Sequence, residues 1–248
     1  IPMDIEDVDF PCLTPVAHWL IFRDGTRQDG VAPYLNEHSM EVFLNGHKAM
    51  ELVCVPQFLP ELVLGRLLTE NLIHGMEDVG QLRISDDGSR ADVTLQNPGN
   101  PILPESAPLQ PVKPIFWKTE WIFQLADCFA QGMPLHAAPW ATHSCFLARN
   151  GEILFSCEDI GRHNALDKAI GYALRNGIPL SECMVYSSGR IPTDMAKKAI
   201  RAAIPVLISK AAPTRQAIAL AHTYGLTLIC AARRDSMRQY TGFCACDP

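Results

Sequence analysis

The feature that most constrains this chain is the alternation of short apolar strands and single helices across residues 144–235. SCFLARNGEILFSC reads as a hairpin about Asn150-Gly151, a pair that favours a tight two-residue turn. NALDKAIGYALRNG then predicts a helix ending at Gly177, CMVYSSG a strand and turn, and TDMAKKAIRAA a helix. IPVLISK predicts a strand, APTRQAIALAHTYG a helix ending at Gly225, and LTLICAARRD a last strand. Such spacing implies right-handed crossovers and a largely parallel sheet covered on both faces. Ligands of such sheets sit beyond the carboxyl ends of the strands, where loops lead into helix N-termini. The chain places its unusual polar residues in those positions: EDIGRHN after Cys157, SSGR after Tyr186, SKAAPT after Ile208 and AARRD after Cys230.

The first part of the chain reads as α+β. MEVFL (40–44) alternates, Asn45-Gly46 signals a hairpin, and the partner strand runs through Leu52 to Val55. ELVLGRLLTENLI after Pro60 carries a helical apolar stripe that ends near Gly75, and QLRIS pairs with ADVTLQ through Asp86-Asp87-Gly88. NPGNPILPESAPLQPVKP (97–114) is too rich in proline for regular structure and reads as a linker or a long loop. WKTEWIFQLADCFAQG beyond it predicts a helix closed by Gly132. The expected organisation is an N-terminal α+β domain (1–96), the linker (97–114) and a C-terminal α/β domain (115–248).

Charge narrows the possible partners. A net charge of −6 argues against a general nucleic-acid binder, yet residues 1–150 hold 9 basic and 19 acidic side chains while 151–248 hold 12 and 8. A positive second half in an acidic chain suits a bounded anionic ligand. The apolar runs are too short for a membrane span and the start IPMDIEDVDF is acidic, so the expected location is the cytoplasm. The 9 cysteines are odd in number, scattered, and form no CxxC pair, which excludes a secreted disulfide framework. Most have apolar neighbours and read as small core residues, whereas Cys244 and Cys246 lie in the tail TGFCACDP.

Gly161 and Gly189 let the backbone turn sharply beside a ligand, and the helix N-termini that follow offer free N–H groups. Arg162, Arg190, Lys210, Arg233 and Arg234 add full charges suited to phosphate. Asp235 among the arginines can accept two N–H bonds from a guanine edge. Plainer readings run alongside. Ser188, Thr193 and Asp194 fit turn or N-cap positions, and His163 and Asp167, four apart, could pair locally on one helix face. Lys197, Lys198 and Arg201 fit a solvated face, and His136 in GMPLHAAPW fits a core histidine. The convergence of four loops favours a pocket for a phosphorylated or pyrophosphorylated small molecule.

With these loops in view, the chain resembles the formate dehydrogenase accessory protein (FdhD) family. The matching segments are LHAA (135–138), EDIGRHNALDKAIG (158–171), SSGRIPTDMAKKA (187–199), IPVLISKAAPT (204–214), GLTLICAARRD (225–235) and YT (240–241), with a looser fit of EVFLNG and GRLLTENLI. The resemblance implies a cytoplasmic homodimer whose second half is cytidine deaminase-like in fold. It also implies a sulfur carrier that takes a persulfide from a cysteine desulfurase and passes sulfur to the molybdenum cofactor, a bis(molybdopterin guanine dinucleotide), before formate dehydrogenase receives it.

GDP would mimic a fragment of that cofactor. The candidate cofactor-binding set is His136, Asp159, Gly161, Arg162, His163, Ser188, Gly189, Arg190, Lys210, Thr214, Ala232, Arg233, Arg234 and Asp235, with His163 or Asp167 orienting the first loop.

The family carries its sulfur on a CxxC-type loop between the halves, where this chain has SAPLQPVKP and no cysteine. It therefore reads as a divergent member with no catalytic residue at the family position. Cys244, Cys246 and Cys128 are the candidate thiols, and Cys157 ranks below them because its strand context predicts burial. Deamination is not expected, since no acid follows His136 and PCxxC is absent, and no metal site is expected. The alternative to sulfur transfer is a cofactor-binding chaperone that has lost it; a stand-alone nucleotide-using enzyme ranks third.

Overall fold

The structure, a computed structural model, describes residues 10–97, 108–135 and 142–242. A two-stranded ribbon comes first, β1 (Leu13–Ile21) antiparallel to β2 (Arg27–Leu35). A four-stranded sheet follows from β3 (His38–Leu44), β4 (His47–Cys54), β5 (Val79–Ile84) and β6 (Arg90–Leu95), in the order β4-β3-β6-β5 with β3 and β6 parallel. Asn45 and Gly46 turn the β3–β4 hairpin with φ of 52° and 82°, the left-handed pair that the Asn-Gly signal predicts.

Helix α1 (Leu59–Thr69) covers this sheet and stops short of the expected end near Gly75. Asn71 takes a left-handed φ of 62°, and the N–H groups of Leu72 and Ile73 turn back to the carbonyl of Leu67, closing the helix a turn early.

The second part holds helix α2 (Thr119–Ala130), strands β7 (His143–Arg149) and β8 (Glu152–Asp159), and helix α3 (Arg162–Arg175). Beyond them come β9 (Met184–Ser187), α4 (Thr193–Arg201), β10 (Val206–Ser209), α5 (Arg215–Tyr224), β11 (Thr227–Cys230) and β12 (Arg238–Thr241). The strands form one sheet in the order β12-β11-β10-β9-β7-β8. The expectation of a mostly parallel sheet is corrected here. Only β9–β10 and β10–β11 pair in parallel; β7 is antiparallel to both neighbours, and β12 is antiparallel to β11. The hairpin connection brings β7 back between β8 and β9, so β8 still points the same way as β9, β10 and β11.

Alternation sorts the strand residues into two layers. Met184, Tyr186, Val206, Ile208 and Ile229 face α2 through Ile122, Leu125 and Phe129. Val185, Leu207 and Leu228 face the opposite layer of α3, α4 and α5. That layer continues without a break into α1 and the four-stranded sheet, so one buried cluster runs from Met40 to Cys230.

The junction is the crossing of α1 and α3. A Cβ added at Gly65 would lie 1.8 Å from the carbonyl oxygen of Asp167, and one at Gly171 would lie 1.8 Å from that of Glu61. Each helix therefore rests backbone to backbone on the other, which only glycine permits. Among the described residues no helix is long and apolar enough to cross a membrane.

Candidate functional site

Because β8, β9, β10 and β11 run in one direction, the four polar loops leave the sheet on one edge. Backbone hydrogen bonds zip these loops together beyond the strands. Ser188 N donates to Ser144 O, Lys210 N to Ser187 O, Thr214 N to Ile191 O, and Ala232 N to Ser209 O. Side chains add to the seam: Ser209 Oγ donates to Gly189 O at 2.6 Å, and Ser188 Oγ accepts from Ser144 N at 3.0 Å.

The candidate residues fall into two groups. In the first, the aliphatic part of Arg162 lies across Gly189, where a Cβ would stand 2.8 Å from Arg162 Cβ and Cδ. Gly189 is thus required for this contact, which brings the first and second loops together. Arg162 Nε is buried and has no hydrogen-bond partner.

Beside it, His163 Nε2 is 3.1 Å from Asp194 Oδ2, which corrects the expected His163–Asp167 pair. Burial lowers the pKa of His163 against the opposing pull of Asp194. The N-cap residues of α3 and α4, Gly161 and Pro192, make no side-chain cap, although Asp194 Oδ1 accepts from Met195 N at 2.9 Å in the first turn of α4, whereas Thr214 Oγ1 caps α5 by accepting from Ala217 N at 3.2 Å. Thr214, expected at the ligand, is thus a helix cap. Arg190 is exposed at the end of the second loop.

In the second group, Lys210, Ala232, Arg233, Arg234 and Asp235 line one cavity of about 200 Å³ together with residues of α2. Tyr186 and Phe129 form its apolar wall. Tyr186 Oη donates to Ala232 O at 2.7 Å, fixing the fourth loop to the sheet, and Lys210 Nζ stands 5.7 Å from the Phe129 ring. Arg234 reaches Asp127 at 3.5 Å on the exposed rim. Phe129 and Tyr186 escaped the sequence reading; the available signal was Tyr186, the single aromatic in an otherwise small or aliphatic strand.

Several acidic and basic candidates prove to be internal struts. Asp159, expected at the ligand, is 0 % exposed, and its carboxylate accepts from Lys168 Nζ (2.7 Å), Asn164 Nδ2 (2.9 Å), Val55 N and Gly161 N. Asp167, expected to orient the first loop from a helix face, is buried and accepts from Arg66 Nε, Thr69 Oγ1 and Lys198 Nζ.

Lys198, expected on a solvated face with exposed Lys197, is buried against that carboxylate, and desolvation lowers its pKa. Glu158 is buried as well, accepting from Leu135 N at 2.7 Å and Thr142 Oγ1 at 2.9 Å.

The thiols divide sharply. Cys54, Cys145, Cys157, Cys183 and Cys230 are buried, and burial pushes their pKa up, to about 12 for Cys54, Cys157 and Cys230 and about 11 for Cys183. Such thiols are poor nucleophiles. Cys128 is exposed on α2 but does not line the cavity. His136, Cys244 and Cys246 lie outside the described residues.

The pH dependence of His163 follows from its burial. Its proton affinity is lower in the folded chain than in the unfolded one, so the unfolded state takes up the proton first as pH falls. The stability gained from keeping it neutral is present above about pH 6.5 and is lost below it. Urea midpoints at pH 7.5 and 5.5 are expected to fall less in His163→Gln than in wild type; equal falls would show that His163 carries no such coupling.

Fold and edge together define a mixed α/β protein whose converging loops build a cationic rim above an α2-lined cavity. The chain belongs to the FdhD/NarQ family, whose model matches residues 35–102 and 102–245. It is 28% identical over 246 residues to the sulfur carrier protein FdhD of Listeria monocytogenes serotype 4b, covering 90% of this chain and 94% of that one. It is 32% identical over 215 residues to protein FdhD of Methanocaldococcus jannaschii, covering 83% and 86%. The crystal structure of a protein described as a formate dehydrogenase accessory protein from Desulfotalea psychrophila superposes with a TM-score of 0.80 at 25% identity, covering 94% of this chain and 98% of the other.

Proposed function

We propose that the chain is a formate dehydrogenase accessory protein that grips the molybdenum cofactor by its guanine nucleotide ends and takes part in its sulfuration. The observation that carries the binding reading is the pairing of two unsatisfied features on one edge. Arg162 Nε is buried without a partner at the start of α3, whose N-cap Gly161 makes no side-chain cap, and Asp235 shares a cavity with Lys210, Arg233 and Arg234. An orphaned guanidinium N–H suits an anionic oxygen, and a carboxylate among cations suits the N–H edge of guanine.

In this reading Arg162 and Arg190 hold one phosphate group and Lys210, Arg233 and Arg234 another. Asp235 reads the base, with Tyr186 and Phe129 as its apolar wall. Bound there, the cofactor would receive a sulfur ligand before the dehydrogenase apoprotein takes it in the cytoplasm.

Sulfur loading needs a thiolate that attacks the outer sulfur of a cysteine desulfurase persulfide. A new S–S bond forms, the donor's S–S bond breaks, and the donor cysteine leaves as its thiolate, with no outside oxidant. Cys244 and Cys246 are the thiols assigned to this step, with Cys128 behind them. The burial of the sheet cysteines favours the second reading, a chaperone that binds the cofactor without carrying sulfur. In this reading the likeness to cytidine deaminases that the family resemblance implies would be one of fold only, without deamination.

Calorimetry with GDP tests the binding claim. Wild type is expected to bind, and Arg190→Ala or Arg234→Ala to weaken binding about tenfold, the loss of one charge-assisted contact. No binding to wild type would sink the pocket. Incubation with a cysteine desulfurase and labelled cysteine, read by mass spectrometry, separates the two readings: a persulfide on Cys244 or Cys246 supports the carrier, and none on any cysteine supports the chaperone.

A further inference from the structure

Arg162 opens α3, and the N-cap Gly161 gives that first turn no side-chain cap. The turn is held from behind instead. Gly161 N donates to Asp159 Oδ1 at 3.2 Å, and Asn164 Nδ2 donates to the same oxygen at 2.9 Å. Both acceptor and amide are anchored in turn on the N-terminal half. Val55 N donates to Asp159 Oδ2 at 3.2 Å, and Asn164 Nδ2 also donates to Val53 O at 2.7 Å. The other end of the Asn164 amide, Oδ1, accepts from Arg66 Nη2 of α1 at 2.9 Å.

These partners allow the Asn164 amide one orientation. Turned over, its NH2 group would face the Arg66 guanidinium, and its oxygen would face the Asp159 carboxylate and the Val53 carbonyl. Arg66 enforces the choice because its planar fork spans the first turn of α3. Nε donates to Asp167 Oδ2 at 2.6 Å while Nη2 takes Asn164, three residues earlier. Arg66 follows Gly65, whose missing Cβ lets α1 rest on the Asp167 carbonyl. The close contact and the fork are therefore one device.

The Asp167 carboxylate has other partners, Lys198 Nζ and Thr69 Oγ1. Asn164 Oδ1 has Arg66. The second arm of the fork thus serves the loop rather than the buried charge.

We infer that Arg66 is a positioning residue for the anion site: through Asn164 and Asp159 it sets the first polar loop, and with it the direction of Arg162. The N-terminal half in this way governs the affinity of an edge built by the C-terminal half. For the ligand served, the inference rests on the cofactor reading. A lysine at position 66 keeps a charge for Asp167, but its single ammonium lacks the fork that bridges Asp167 and Asn164.

The test is a double-mutant cycle on GDP binding, read by calorimetry, with urea midpoints as the control for folding. Arg66→Lys is expected to weaken binding about tenfold, the scale of one misdirected charge-assisted contact. Arg162→Ala is expected to weaken it as much. In the Arg162→Ala background, Arg66→Lys is expected to change affinity by less than about twofold, because the residue it directs has gone. Asn164→Ala, which leaves Arg66 on Asp167, is expected to repeat the Arg66→Lys result. Additive losses, or wild-type affinity in Arg66→Lys, would overturn the inference.

Hydrogen exchange without ligand decides the same point independently of GDP. In Arg66→Lys the Gly161 amide is expected to exchange at least about tenfold faster, while the amides of Lys210 and Ala232 in the third and fourth loops keep their wild-type rates. An unchanged rate at Gly161, or an equal rise at all three amides, would overturn the inference. A wild type that binds no GDP defeats the cofactor reading, and the exchange comparison still decides whether Arg66 sets the loop.

Discussion

Asp167→Ala is expected to cost about 3–5 kcal/mol of folding stability, the usual penalty for stranding buried charge. The Asp167 carboxylate is 0 % exposed and accepts from Arg66 Nε at 2.6 Å, Thr69 Oγ1 at 2.9 Å and Lys198 Nζ at 2.8 Å. Its loss leaves the Lys198 ammonium, only 9 % exposed, with Glu70 at 4.0 Å as its remaining counter-charge. Arg66 keeps Asn164 Oδ1 at 2.9 Å, so Lys198 carries most of the damage. Asp167→Leu combined with Lys198→Met removes both charges and is expected to recover a large part of the loss. Urea midpoints at unchanged slope measure this. A single-variant loss below about 1 kcal/mol would place Asp167 on the surface in solution.

Gly171→Ala is expected to destabilise by at least about 3 kcal/mol, the upper range of overpacking penalties, and to lower Tm by roughly 10 °C in a chain of this size. The new methyl would meet the Glu61 carbonyl oxygen at 1.8 Å, and both groups belong to helix backbones that cannot rotate aside. In an exposed helix the same change would stabilise by up to about 1 kcal/mol, because alanine loses less backbone entropy than glycine. The sign of the change is therefore diagnostic: a rise in Tm would mean that α1 and α3 do not touch.

What the sequence disclosed was whatever chemistry close along the chain decides. Asn45-Gly46 and Asn150-Gly151 announced their hairpins because the turn residues set the geometry themselves. The four polar loops were legible because a strand end followed by a helix start is a local pattern. The place of β7 in the sheet was not, since it depends on pairing with β9, which lies beyond α3.

The buried polar residues were misread for the same reason. Asp167 and Lys198 look like helix-surface residues until Arg66, 101 positions before Asp167, closes the cluster from α1. Lys168 sits on the apolar side of α3 because Val55 O and Asp159 await it there. The ribbon gave little warning, with Pro15, Gly30 and Pro33 interrupting its alternation.

The zipped loops have an energetic consequence for whatever occupies that edge. Several of their backbone donors are already spent on one another: Lys210 N on Ser187, Thr214 N on Ile191, Ala232 N on Ser209. A visitor therefore finds a floor that is already set, and the freedom surrendered on capture is confined to long side chains such as Arg190, Lys210 and Arg234. Little of the binding free energy is diverted into ordering the chain, so release is governed by how firmly a few flexible cations hold.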